Sequence, residues 1–265
     1  MNTPETFSTG LIDTHFHIDH VKGNPRKELQ NISEGLACGI DIGLDVADHE
    51  QRKSLISKFS NIYMSQGLSP AYAQKENLSS ALDALDKQLD HEKVIACGEI
   101  GLDYHWNYGT PERQKELFNA QIDLANNHGL PIIIHNRKAD QDMLQILTEN
   151  PVEKGGIFHC FSSDKHTAEK AIDLGFFISF AGNVTFKNAK NIQEAAEILP
   201  EQNIFCETDS PFLTPVPHRG KPNNPLYVAY VYKFISELKE IPLETLILQV
   251  GKNVKTLFPS LSAYI

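Results

Sequence analysis

Two histidines separated by one residue, His15-Phe16-His17, stand in the apolar stretch Leu11-Ile-Asp-Thr-His-Phe-His-Ile-Asp19. If this β-prone run is a strand, side-chain alternation places both imidazoles on one face. Imidazole is the commonest metal ligand in proteins, so the pair is half of a divalent-metal site. Taken alone, it reads more readily as two polar core or surface residues. Later apolar runs carry the same kind of group. They are Cys97-Gly-Glu99-Ile-Gly-Leu-Asp103, Ile132-Ile-Ile-His135-Asn-Arg137, Ile157-Phe-His159-Cys-Phe161 and Cys206-Glu-Thr-Asp209-Ser-Pro211. Singly, His135 and His159 fit hydrogen-bonded core histidines, Glu99 a helix-entry acid or salt-bridge partner, and Asp209 a turn residue. Together they are costly to bury without partners, and a shared cation is the economical explanation.

The elements that must position these groups alternate along the chain. Strands are expected near 10–19, 39–46, 62–69, 93–102, 131–136, 155–161, 176–182 and 203–208. Helices are expected near 24–36, 48–59, 76–91, 111–128, 139–149, 164–174, 188–198, 223–239 and 242–257. The stretch 111–128 illustrates the signals: Thr110 as N-cap, Pro111 at the first helical position, and Leu117, Phe118, Ile122, Leu124 and Ala125 at helical spacing. Gly129 then closes the helix and Pro131 opens the next strand. Eight such β/α units imply a parallel sheet. A chain of 265 residues is long enough to close it as one α/β domain, 1–265, a (β/α)8 TIM barrel. In that architecture active sites lie at the carboxyl ends of the strands, where all the groups named above would meet.

Composition narrows the partners. A net charge of −10 excludes the broad basic footprint that drives duplex binding. A polyanion would have to be met locally, although acidity also serves solubility. No apolar run approaches the ~20 residues of a membrane span, so no membrane partner is expected. The first 20 residues show neither a basic start nor an apolar signal core, which predicts a cytoplasmic location. Cys38, Cys97, Cys160 and Cys206 form no C-x-x-C and read as reduced, mostly buried side chains.

The ordered segments Asp13–Asp19, Gly98–Tyr104, Ile134–Arg137, His159–Ser162, Glu207–Pro211 and Asn253–Phe258 resemble the TatD family of metal-dependent hydrolases. Gly175–Thr185 and Pro215–Lys221 are similar to its YcfH-like branch. The resemblance runs nearly the whole length. It implies a barrel of the metal-dependent hydrolase (amidohydrolase) type, two divalent metal ions per chain and phosphodiesterase activity on DNA. By motif position, His15, His17 and Asp209 would bind the first ion, His135 and His159 the second, and Glu99 would bridge them. Two departures stand out. Arg137-Lys138-Ala139 replaces the usual Arg-Asp-Ala, adding positive charge. Asn223-Asn224-Pro225 replaces Asn-Glu-Pro, losing an acid.

The mechanism expected from these residues is two-metal hydrolysis, in which the ions lower the pKa of water and neutralise the scissile phosphate. Asp209 would also serve as general base. Arg137 and Arg219 would clamp phosphate oxygens, although Arg219 reads equally as a residue that orders its loop. Tyr72, Tyr104, His105 and Trp106 would offer rings for bases of a single strand, or simply pack between loops. The expected partner is DNA, at single-stranded ends cut as by a 3′–5′ exonuclease, with no obligate protein partner. Imidazole and carboxylate ligands favour Zn²⁺ at rest, with Mg²⁺ or Mn²⁺ as alternatives in activity. Two other functions fit the same residues: hydrolysis of a lactone, cyclic amide or small phosphoester, and a non-catalytic metal-containing nucleic-acid-binding module.

Overall fold

The computed structural model describes residues 10–21 and 23–261; the remaining residues of the expected 1–265 domain lie outside them. Eight strands run β1 (Ile12–Phe16), β2 (Cys38–Asp41), β3 (Ile62–Gln66), β4 (Val94–Asp103), β5 (Ile132–Arg137), β6 (Gly156–Phe158), β7 (Phe176–Phe180) and β8 (Ile204–Cys206). They are parallel and ordered sequentially, β1 to β8. Helices lie between them: α1 (Pro25–Gly35), α2 (His49–Ile56), α3 (Leu78–Leu89), α4 (Pro111–His128), α5 (Asp140–Glu149), α6 (Lys165–Asp173) and α7 (Lys190–Ile198). After β8 come α8 (Val228–Leu238) and α9 (Leu243–Leu257). No helix among the described residues is long and apolar enough to cross a membrane.

The sheet curls into a nearly closed TIM barrel. β1 meets the chain just past β8, where Asp209 N–H donates to His15 O (2.9 Å) and His17 N–H donates to Ser210 O (2.8 Å). The buried Asp13 carboxylate reinforces this seam. It accepts the Thr208 N–H (2.9 Å), the Thr208 hydroxyl (2.6 Å) and the His15 N–H (3.1 Å). Closure therefore brings the first and last candidate ligands together.

The helices form where local chemistry favours them. Thr110 Oγ1 accepts the Arg113 N–H at the start of α4, and Gly129 ends it in the left-handed region at φ 61°. Leu117, Phe118, Ile122 and Ala125 are buried against the barrel. Two polar residues share that buried stripe. The Gln121 side chain bonds both the N–H (2.7 Å) and the O (3.0 Å) of Leu68. Gln114 does the same for Asp103, at 2.8 and 3.0 Å. At the far end, Asn253 on α9 donates to the carbonyls of Glu201 and Ile204, both at 2.8 Å, anchoring β8.

The element expected over 223–239 is divided. A 3-10 turn occupies Pro225–Tyr227 and α8 begins only at Val228. Asn224 caps that turn by accepting the Leu226 N–H (2.9 Å) and donates its amide to Glu28. Strands β6 and β8 are three residues each, shorter than their apolar runs. The chain turns sharply just beyond them, with Cys160 and Asp209 both at positive φ (44° and 53°).

Candidate metal centre

His15 sits in β1 and His17 immediately after it; Glu99 lies inside β4, His135 in β5, His159 just past β6 and Asp209 just past β8. The structure brings all six to one place. Glu99 occupies the centre because β4 is irregular there. The β4–β5 register shifts between Gly98 and Ile100, and Glu99 N–H bonds Gly43 O (3.0 Å) instead of β5. Gly101 permits the close approach that follows: a Cβ there would lie 2.1 Å from His135 O, at φ 140°.

The two Glu99 oxygens face two imidazole pairs. Oε2 lies 3.3 Å from His15 Nε2 and 4.0 Å from His17 Nε2. Oε1 lies 2.8 Å from His135 Nδ1 and 3.3 Å from His159 Nε2. Asp209 Oδ1 completes the first group, 3.4 Å from His17 Nε2 and 3.8 Å from His15 Nε2.

Outer partners decide which nitrogen carries each proton. A neutral imidazole has one N–H. His17 directs Nδ1–H to the Ile42 carbonyl (3.3 Å), His135 directs Nε2–H to Asp103 Oδ2 (2.8 Å), and His159 directs Nδ1–H to Glu207 Oε1 (3.3 Å). The remaining lone pairs point inward, which is the arrangement of metal-ligating histidines. Nε2 of His15 and of His17 are 3.2 Å apart, and His159 Nε2 is 3.4 Å from His135 Nδ1. Ring nitrogens at such distances share either a proton or a cation. His15/His17/Glu99, Glu99/His135/His159 and His15/His159/Asp209 each present ligand atoms within 4.8 Å of one another. The donor set thus fits two cations sharing Glu99.

The electrostatics agree. Burial opposes charge on every member, yet His159, His135 and His15 hold the Glu99 carboxyl well below its usual range. Burial likewise acts against protonated His159, but Glu99 and Glu207 raise it well above the ordinary imidazole value. His135 is raised by Asp103 and Glu99, and His17 by Asp209, against the same opposition. His15 alone is lowered, by burial and by His159, whose ring stacks on it at 3.9 Å. The centre attracts positive charge.

Above it opens a cavity of about 650 Å³. Glu99, His135, His159 and Asp209 line it, together with Arg137, Trp106 and Phe212. Arg137 is exposed, its guanidinium 5.6 Å from the centre of the Trp106 ring. Arg219 does not line this cavity; the loop after β8 carries it away, and it lies 3.9 Å over the Phe186 ring. Tyr72 is buried, and the Tyr104 hydroxyl bonds Asp142 (2.7 Å), so neither presents a ring to the cavity. Asp103 and Glu207 were visible only as motif letters. Their signal is an acid beside a proposed ligand at the end of an apolar strand. Phe212, one turn past Asp209, carried no signal of its own.

The family described as TatD related DNase matches residues 12–259. The metal-dependent hydrolase YabD of Bacillus subtilis is 40% identical over 258 residues, covering 94% of this chain and 98% of that protein. The metal-dependent hydrolase YcfH of Escherichia coli is 36% identical over 255 residues, covering 94% and 95%. The crystal structure of YjjV, a TatD homologue from Escherichia coli, superposes with a TM-score of 0.88 at 29% identity, covering 94% and 97%.

Proposed function

Because this chain belongs to the family of TatD-related DNases and is a metal-dependent hydrolase, we propose that it hydrolyses phosphodiester bonds of DNA at single-stranded ends. The observation that carries this reading is one carboxylate, Glu99, set between two pairs of inward-facing imidazole nitrogens on the floor of an open cavity. His15, His17 and Asp209 would hold one divalent cation, His135 and His159 the other, with Glu99 common to both. Bound there, the cations supply Lewis acidity and neutralise phosphate charge.

The chain's own groups do the rest. Asp209 reaches the cavity as an ionised carboxylate. Burial acts to raise its carboxyl, and His17 and His15 pull it below the ordinary value. It takes the proton of the attacking water as general base. Arg137 presents a planar guanidinium at the same wall and pairs with non-bridging phosphate oxygens. Asp103 and Glu207 hold the His135 and His159 rings in the required tautomer. A cavity of this size with an acidic chain around it suits a single strand better than a wrapped duplex.

The test is digestion of end-labelled single-stranded DNA with Mg²⁺, Mn²⁺ or Zn²⁺, with and without chelator, beside a lactone panel. Shortening of the strand only with cation supports the reading. Lactone turnover with intact DNA overturns it.

A further inference from the structure

We infer that Trp106 and Phe212 are paired base-stacking platforms on opposite walls of the cavity, so that the enzyme grips the nucleotides on both sides of the scissile phosphate. This inference rests on the nuclease reading and specifies how its substrate is recognised.

Three observations support it. First, both side chains are large, apolar and exposed, Trp106 at 53% and Phe212 at 48%, and both line the same cavity. Apolar rings left in water over an ionic floor suit a ligand with flat apolar faces and a charged backbone. Second, they rise from opposite sides of the barrel mouth. Trp106 follows β4 and Phe212 follows the end of β8, and strands four apart in an eight-stranded ring lie across the mouth from one another. Third, both are tied to the metal centre. The Asp103 carboxylate that orients His135 also accepts the Trp106 N–H (3.1 Å). The Phe212 N–H donates to Asp209 O (2.8 Å), and Asn223 donates to Phe212 O (2.5 Å).

Each platform therefore stands three residues beyond a residue of the centre, Asp103 or Asp209. Arg137 beside Trp106 adds a cation where a phosphate follows a stacked base. Stacking is sequence-tolerant because every base has a π-face. The expected enzyme reads the presence of unpaired bases, not their identity. Loss of one stacked base lowers binding about five- to hundredfold.

Trp106 is the chain's sole tryptophan, so its emission reports on one platform directly. The protein with Mg²⁺ is titrated with a short phosphorothioate-linked single strand, and with the same strand made abasic at its terminal two positions. Quenching by the first and not by the second is expected. In cleavage assays Trp106→Ala and Phe212→Ala each cut the base-bearing strand about tenfold more slowly, lose the parent's preference over the abasic strand, and Trp106→Phe restores most of the rate. Equal quenching and equal cleavage of both strands by the parent overturns the inference and leaves the nuclease reading intact. If the parent cuts neither strand with any cation, the nuclease reading fails and the platforms fail with it.

Discussion

Two buried ionic clusters lie a few residues apart, and the carboxylates at their centres are answered differently. In one, Arg52 of α2 is fully buried. Its Nε–H donates to Asp41 Oδ2 (2.7 Å), Nη1 to Gln66 Oε1 (3.0 Å), and Nη2 to the carbonyls of Asp41 (2.8 Å) and Ser65 (3.1 Å). Asp48 lies 3.6 Å from Nη1, and the second Asp41 oxygen accepts the Ile18 N–H (2.8 Å). Every guanidinium nitrogen and both Asp41 oxygens thus have hydrogen-bond partners, as a buried ion pair requires, while Asp48 Oδ1 and Ser65 Oγ at the cluster's edge have none among the described residues. Around Glu99, among the described residues, only imidazoles and no Lys or Arg answer the carboxylate, and His15 Nδ1 and Glu207 Oε2 have no hydrogen-bond partner there. The first cluster is complete as a piece of structure and fixes the chain that follows His17. The second consists of ligand-type groups that cations would complete. A buried charge is a functional signal when its partners are missing, not merely when it is buried.

The comparison can be broken most sharply at Asp209. Replacing it with Asn removes the proposed general base and should lower kcat about 10²–10⁴-fold while leaving the urea midpoint near the parent's. A variant that unfolds early would show that this cluster, too, is structural. At the other cluster the effects should reverse. Arg52→Met strands Asp41 and should cost about 3–5 kcal/mol of unfolding free energy, whether or not divalent cation is present. Urea curves with and without chelator measure both terms. A smaller step is Asp103→Asn, which loses the acceptor that orients His135 and should weaken cation binding about 10–100-fold by calorimetry. The smallest effect is expected at Lys138, exposed beside Arg137. Lys138→Asp should raise KM for DNA more at low salt than at high salt, because screening removes long-range attraction. Salt-independent kinetics would reject a steering role.

Much of this was legible in the residues. Each expected strand and helix overlaps an observed one among the described residues, because those signals are local, although β6, β8 and α8 are shorter than expected. The six groups of the centre were legible because each interrupts an apolar run within or just past a strand. What was not legible depends on distant pairing. Gln114 and Gln121 carried no sequence signal, yet they clamp the backbone of Asp103 and Leu68. Arg52 carried none either, because its partners Asp41, Gln66 and Ser65 come from β2 and β3. Arg219 and Phe212 exchanged prominence because the path of the loop after β8 is set by packing against other elements. Asn223 holds that path through the Thr208 and Phe212 carbonyls.

The central claim is that Glu99 joins two cations into one centre. Metal analysis of the chelator-treated protein after equilibrium dialysis against Mn²⁺ or Zn²⁺ tests it most directly, read beside Glu99→Gln prepared identically. Two equivalents retained by the parent and a collapse of both in the variant is the predicted result. One equivalent or none in the parent, or two undiminished in Glu99→Gln, would contradict it.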